Sequence, residues 1–285
     1  MTAAVRLAND SIAVEVLPAI GARLHRLRVF GHDLLRTPAD PALHRSDPFL
    51  WGAYHMAPWC NRIAAAPTAV GAALVNPPPN FSDGTAIHGQ VYGRPWRDLG
   101  GGSFAIDAGG DGWPWRYSVT ARVVVAEMTL TVEQTLVNTS PSDMPAGLGI
   151  HPWFRRPLEL AIHADEVIPS NTDPDARTQA VRGRFDLRRS AAPANRLDAT
   201  WTAARQPAVD LRWPALNVAA TLRTTTSPTY IVAATPAGLD AVAIEPQTHA
   251  PAGLRRLLDG RPGALTLLPP GGTLTLSTQL AFRTT

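Results

Sequence analysis

Apolar and polar residues alternate with a period of two along much of the chain. In residues 128–136, MTLTVEQTL, one side collects Met128, Leu130, Val132 and Leu136, and the other Thr129, Thr131, Glu133 and Thr135. Near the C-terminus Leu274, Leu276, Leu280 and Phe282 alternate with mostly polar neighbours. A strand with one face on a core requires this pattern. Further strands are predicted at SIAVEVL (11–17), ARLHRLRVF (22–30), SVTARVVV (118–125), LELAIHA (158–164), TYIVAAT (229–235) and DAVAIEP (240–246). The turn-rich stretches GGDGWP, NTSPSD, NPPPNFSDG and LPPGG separate them. One short helix is predicted at DPFLWGAYH (47–55), and helical periodicity is otherwise scarce. Many short strands joined by turns predict an all-β fold, a large antiparallel β-sandwich. The 27 prolines and 22 glycines are spread evenly, and neither an internal repeat nor a linker divides the chain, so residues 1–285 are expected to form one domain.

Composition narrows the functional classes. A chain of 285 residues, 45% of them apolar, can bury a sizeable core. No run of 18 apolar residues predicts a transmembrane helix. The N-terminus, MTAAVRLANDSIAVEV, lacks the apolar centre of a secretory signal. The single cysteine, Cys60, cannot form an internal disulfide, and a cytoplasmic location is expected. Every basic residue is an arginine, which lifts the pI to about 9.6 while the formal charge is only +3. These arginines are dispersed, so neither nucleic acid nor a membrane surface is an expected partner; a small molecule is, bound by a monomer or homodimer.

Several chemistries have no signal. The chain contains no G-x-S-x-G nucleophile elbow and no P-loop. One cysteine and widely separated histidines give no metal-ligand spacing, so no metal or other cofactor is predicted. The glycine triplet at 100–102 reads as a turn. Four islands remain: MAPWCNRI (56–63), AIHGQVYGRPW (86–96), GLGIHPWF (147–154) and AIEPQTHAP (243–251). Each sets a polar group at an expected strand end or rigid turn: Asn61 and Arg62, His88, His151, and Glu245. Taken singly, Arg62 reads equally as a surface ion-pair partner, His88 as a turn residue and His151 as a satisfied core histidine. Glu245 is harder to explain structurally, because a carboxylate in an apolar strand must be paired or change its pKa. Together, one carboxylate, two imidazoles and an Asn-Arg pair suit proton transfer on a hydroxylated substrate.

In this order, the four islands resemble the aldose 1-epimerase (galactose mutarotase) family. The likeness lies in Pro58 through Ile63, His88-Gly89, His151-Pro152 with Trp153 and Phe154, and Glu245-Pro246; GARLHRLRVFGHDLLR and WPWRYSV extend it over nearly the whole chain. The resemblance implies the galactose mutarotase-like supersandwich and interconversion of α and β anomers by ring opening and closure. By that likeness His151 is the general acid at the ring oxygen and Glu245 the general base at the anomeric hydroxyl. The two would flank one sugar ring from opposite sides and give a bell-shaped pH profile. His88 binds and polarises the sugar, Asn61 and Arg62 contact its hydroxyls, and Asp198, in RLDATW, matches a substrate-binding aspartate. The family often has a second glycine after His-Gly, where this chain has Gln90. The resemblance therefore leaves the sugar open: a neutral free hexose, or an anionic one (hexose 6-phosphate or sulfonated hexose), for which Arg94, Arg97, Arg155 and Arg156 are candidate contacts. A non-catalytic sugar-binding protein on the same fold is the alternative of a different class.

Overall fold

The computed structural model describes residues 4–285. Two large antiparallel sheets form the molecule, as the period-two pattern requires. At the centre of the larger sheet run, in spatial order, Arg23–Val29, Ala53–Met56, Gly149–Arg155, Ala241–Gln247, Tyr230–Ala234 and Asp198–Thr202. The second sheet contains Ser103–Gly110, Trp113–Ala126, Thr129–Asn138, Thr273–Thr284 and Val218–Thr224. Ile12, Val14 and Leu27 from the first sheet and Phe104, Val119 and Leu136 from the second share one buried cluster. All the strands predicted from alternation form, and the glycine triplet is the turn between Arg97–Gly100 and Ser103–Gly110. Among the described residues, no helix is long and apolar enough to cross a membrane.

Two expectations differ. Met128 is 49% exposed, in the turn before Thr129–Asn138. Gln134 instead takes an inward position and donates from Nε2 to the Gly149 carbonyl at 3.2 Å, joining the two sheets. The helix expected over 47–55 does not form. Gly52 turns the chain at φ 67°, where a Cβ would come within 2.4 Å of the Leu24 carbonyl oxygen, and Ala53–Met56 pairs with Gly149–Arg155. Strand pairing overrides the local helical pattern there. The helices lie elsewhere, at Leu43–Ser46 and Gly253–Leu258.

Candidate active site

The site is built on two adjacent central strands. Gly149–Arg155 and Ala241–Gln247 run antiparallel, with Gly149 opposite Gln247 and Trp153 opposite Ala243. Midway between those pairs, His151 and Glu245 face each other on the same side of the sheet. The sequence suggested that strands end at Pro152 and Pro246; both strands continue through them. Neither proline has an N–H to give the ladder, and regular pairing is interrupted between the flanking pairs. The acidic and basic partners thus sit where two prolines loosen the seam. Their side chains touch: His151 Nε2 lies 3.1 Å from Glu245 Oε1. This differs from the expected placement on opposite sides of a ring.

Loops bring the other groups. Asn61 and His88 both adopt the left-handed region, at φ 55° and 60°. The Asn61 N–H donates to His88 Nδ1 at 3.2 Å, and the His88 N–H donates to the Asn61 carbonyl at 3.0 Å. Gly89 follows because a Cβ there would lie 1.9 Å from the Ala57 carbonyl oxygen. The Asn61 amide is committed to Gln247: Nδ2 donates to Gln247 Oε1 at 2.7 Å, and Gln247 Nε2 donates to Glu245 Oε2 at 2.9 Å. Asn61 therefore orients the carboxyl through Gln247, a residue that sequence reasoning did not single out. His249 pins the same loop, accepting the Cys60 N–H at Nε2 (3.0 Å) and donating from Nδ1 to the Ala250 carbonyl (2.7 Å).

Above the pair opens a cavity of about 320 Å³. Asn61, Arg62, His88, His151, Asp198 and Glu245, the six residues proposed from sequence, all line it. Phe49, Phe81 and Trp153 supply apolar walls. Arg62 is held by Asp83 at 2.6 Å, and Asp198 accepts from Asn171 Nδ2 at 2.5 Å. Arg94, Arg97, Arg155 and Arg156 lie outside this lining. Arg94 and Arg97 pair with Asp111 and Asp107, Arg155 holds the Leu35 carbonyl and Arg156 holds Asn195. The second cavity arginine is Arg196, the first residue of RLDATW, where only Asp198 was given a role from sequence.

Burial governs the protonation of the site. It pushes the Glu245 carboxyl up to about 8; the Asp198 charge adds to this, and the Gln247 hydrogen bond and Arg62 oppose it. Burial likewise pushes His151 down to about 3, with Arg23 contributing. His88 falls well below its ordinary value through burial and the neighbouring His151. Both members of the pair therefore favour their neutral forms, and near neutral pH they hold one proton between them.

Ligand-type atoms of His88, His151 and Glu245 lie within 4.8 Å of one another, a spacing that invites a divalent cation. The hydrogen bond at His88 opposes ligation. Because Nδ1 accepts from Asn61, the proton of the neutral ring sits on Nε2. A ligating imidazole has the reverse arrangement, donating its remaining N–H to an acceptor. His88 is a hydrogen-bond donor here.

The family model for aldose 1-epimerase matches residues 3–281. The chain belongs to the aldose 1-epimerase family. A GalM/aldose epimerase homologue from C. elegans superposes with a TM-score of 0.84 at 19% identity, over 100% of this chain and 99% of that one. A galactose mutarotase-like protein from Clostridium acetobutylicum gives 0.83 at 16% identity, over 99% and 95%. Galactose 1-epimerase from Lactobacillus acidophilus gives 0.76 at 20% identity, over 99% and 94%. At these identities the likeness is one of fold, the galactose mutarotase-like supersandwich. No curated protein matches the chain.

Proposed function

We propose that this member of the aldose 1-epimerase family interconverts the α and β anomers of a free hexose. The supporting observation is a buried His151–Glu245 pair, with one proton between its members, on a cavity of ring-binding size. Ring opening delivers a proton to the ring oxygen and withdraws one from the anomeric hydroxyl, so the pair's proton count is unchanged by each step. A sugar entering the cavity replaces the direct contact. The shared proton passes from Glu245 to His151, which donates it to the ring oxygen while the Glu245 carboxylate accepts one from the anomeric hydroxyl, and the ring opens to the aldehyde. Rotation about the C1–C2 bond and reclosure, with the two roles exchanged, give the other anomer. His88 Nε2–H donates to a sugar oxygen, and Arg62 and Asp198 hold hydroxyls. A pure anomer of a neutral hexose, followed by polarimetry or NMR exchange, tests the proposal; binding without accelerated exchange would indicate a sugar-binding protein instead.

An anionic hexose is the second reading, favoured by Arg196. Among the described residues, only Arg62 of the two cavity arginines is held by a carboxylate. The Arg196 backbone is clamped at φ 57°, donating to the Thr235 carbonyl at 2.9 Å. Exchange rates for a hexose and its 6-phosphate, in wild type and Arg196→Gln, separate the readings: a loss confined to the phosphate supports the anionic substrate.

Two expectations arise from the proton count. Exchange should slow above about pH 8, where the pair loses its proton and no donor remains. On the acid side the rate should follow unfolding, since His151 takes a second proton only near 3. A rate still rising at pH 9, after subtraction of the uncatalysed reaction, would remove the pair from its role. Dialysis against a strong chelator should leave exchange unchanged; loss restored only by a metal would overturn the donor role of His88.

A further inference from the structure

Arg23 lies behind the site, fully buried, and its contacts are neutral acceptors. One terminal nitrogen reaches His44 Nδ1 at 3.2 Å and the Trp51 carbonyl at 3.0 Å; the other reaches the carbonyls of Pro48 at 2.6 Å and Tyr92 at 3.3 Å. A desolvated guanidinium with no touching carboxylate is a costly feature. Its carbon sits 4.8 Å from the centre of the Tyr54 ring. Tyr54 stands opposite His151 in the sheet and stacks on it, with ring centres 4.5 Å apart and planes at 22°. The strand carrying Tyr54 lies between the strands carrying Arg23 and His151, so the three side chains are layered in that order. Trp153 packs against the imidazole at 4.9 Å and His88 meets it edge-on at 5.1 Å. The charged or titratable groups around His151 are thus Glu245, His88, Tyr54 and Arg23, with Arg62 and Asp198 beyond Glu245.

From this layering we infer that Arg23 and Tyr54 are positioning residues for the reaction. Tyr54 fixes the plane of the His151 ring against Glu245, and the Arg23 charge, one ring away, makes the pair a readier proton donor. Cations attract aromatic faces, which holds the phenol in place, and a positive charge in a low-dielectric interior favours release of a nearby proton. Among the described residues the phenolic hydroxyl has no hydrogen-bond partner, so the ring is the working part of Tyr54. The role in turnover rests on the epimerase reading; the effect on the shared proton does not.

The test compares Arg23→Gln, which removes the charge, with Arg23→Lys, which keeps it, and Tyr54→Leu with Tyr54→Phe, which keeps the ring. The ¹⁵N shifts of His151 between pH 6 and 9 read loss of the pair's proton without turnover. In Arg23→Gln that midpoint should rise by about 0.5–1 pH unit, and in Arg23→Lys it should stay at the wild-type value. Exchange kinetics should show kcat down about tenfold in Arg23→Gln and Tyr54→Leu with KM nearly constant, and Tyr54→Phe close to wild type. A folded Arg23→Gln protein titrating as wild type overturns the electrostatic role, and equal losses in Tyr54→Phe and Tyr54→Leu overturn the stacking role. If Arg23→Gln does not fold, the Tyr54 pair decides the stacking role, and Arg23→Met, titrated in the same way, decides the electrostatic one. A wild-type protein that exchanges no anomer defeats the epimerase reading, while the His151 titration still decides the stack.

Discussion

Replacing Glu245 with Gln is expected to slow anomer exchange by about 10²–10⁴-fold while leaving the fold intact. The amide cannot accept the anomeric proton. It fits the site nonetheless: its oxygen can accept from Gln247 Nε2, as Glu245 Oε2 does at 2.9 Å, and its NH₂ can donate to a neutral His151 Nε2. The native carboxyl is already held protonated by burial near pH 7, so Gln reproduces its resting charge. Stability should therefore change in a direction opposite to activity. A carboxyl raised to about 8 in the folded protein stabilises fully only below its ordinary value of 4.5, and that contribution is lost as pH rises towards 8. The amide, which does not titrate, has no such loss. The variant should melt at or above the wild-type temperature at pH 8 and bind sugar with nearly unchanged affinity. Polarimetry, thermal melts at pH 6 and 8, and calorimetric sugar titration read the three outcomes. Wild-type exchange in this variant would remove Glu245 from the reaction.

Three of the four islands were legible because the active-site residue is followed by a residue with a backbone constraint. Gly89 permits a contact that any Cβ would block, and Pro152 and Pro246 mark the seam between two strands. The strands were legible because inward positions such as Leu130, Val132 and Leu136 recur at spacing two. What remained hidden depends on register between distant segments. Asn61 reads as a sugar ligand until Gln247, 186 positions away, is seen to take its amide. Tyr54 sits in a stretch with helical character, and only its pairing with His151 makes it a strand residue behind the imidazole. The direct His151–Glu245 contact also needs the strand register: residues separated by 94 positions become cross-strand neighbours only when Gly149 pairs with Gln247.

Acid is expected to unfold the protein with a midpoint near pH 5, well above the range set by ordinary carboxylates. Six buried histidines are driven below their ordinary value, chiefly by desolvation; His25 is one of them, and the other five are displaced furthest. His44 and His151 fall to about 3, His55 and His249 to about 4, and His88 well below 6.5. In the unfolded chain each titrates near 6.5. Below that value the unfolded state binds protons that the folded state refuses, so stability falls as pH drops from 6.5 towards the folded values. Each histidine contributes a loss of roughly 1.4 kcal/mol per pH unit in this window. Glu245 opposes one of the five, because its protonated form favours the folded state as pH falls from 8 to 4.5. About four uncompensated histidines remain, a loss of roughly 5–6 kcal/mol by pH 5.5, against the 5–15 kcal/mol typical of total stability. Tryptophan fluorescence and far-ultraviolet circular dichroism against pH give the midpoint directly. His55 offers a control, since it packs on Trp96 with ring centres 5.2 Å apart and does not line the cavity. His55→Leu removes one proton-binding site from the unfolded chain and should move the midpoint to lower pH, with a shallower slope. A wild-type protein that stays folded to pH 4, or a His55→Leu transition that is no shallower, would show that these imidazoles do not control acid stability.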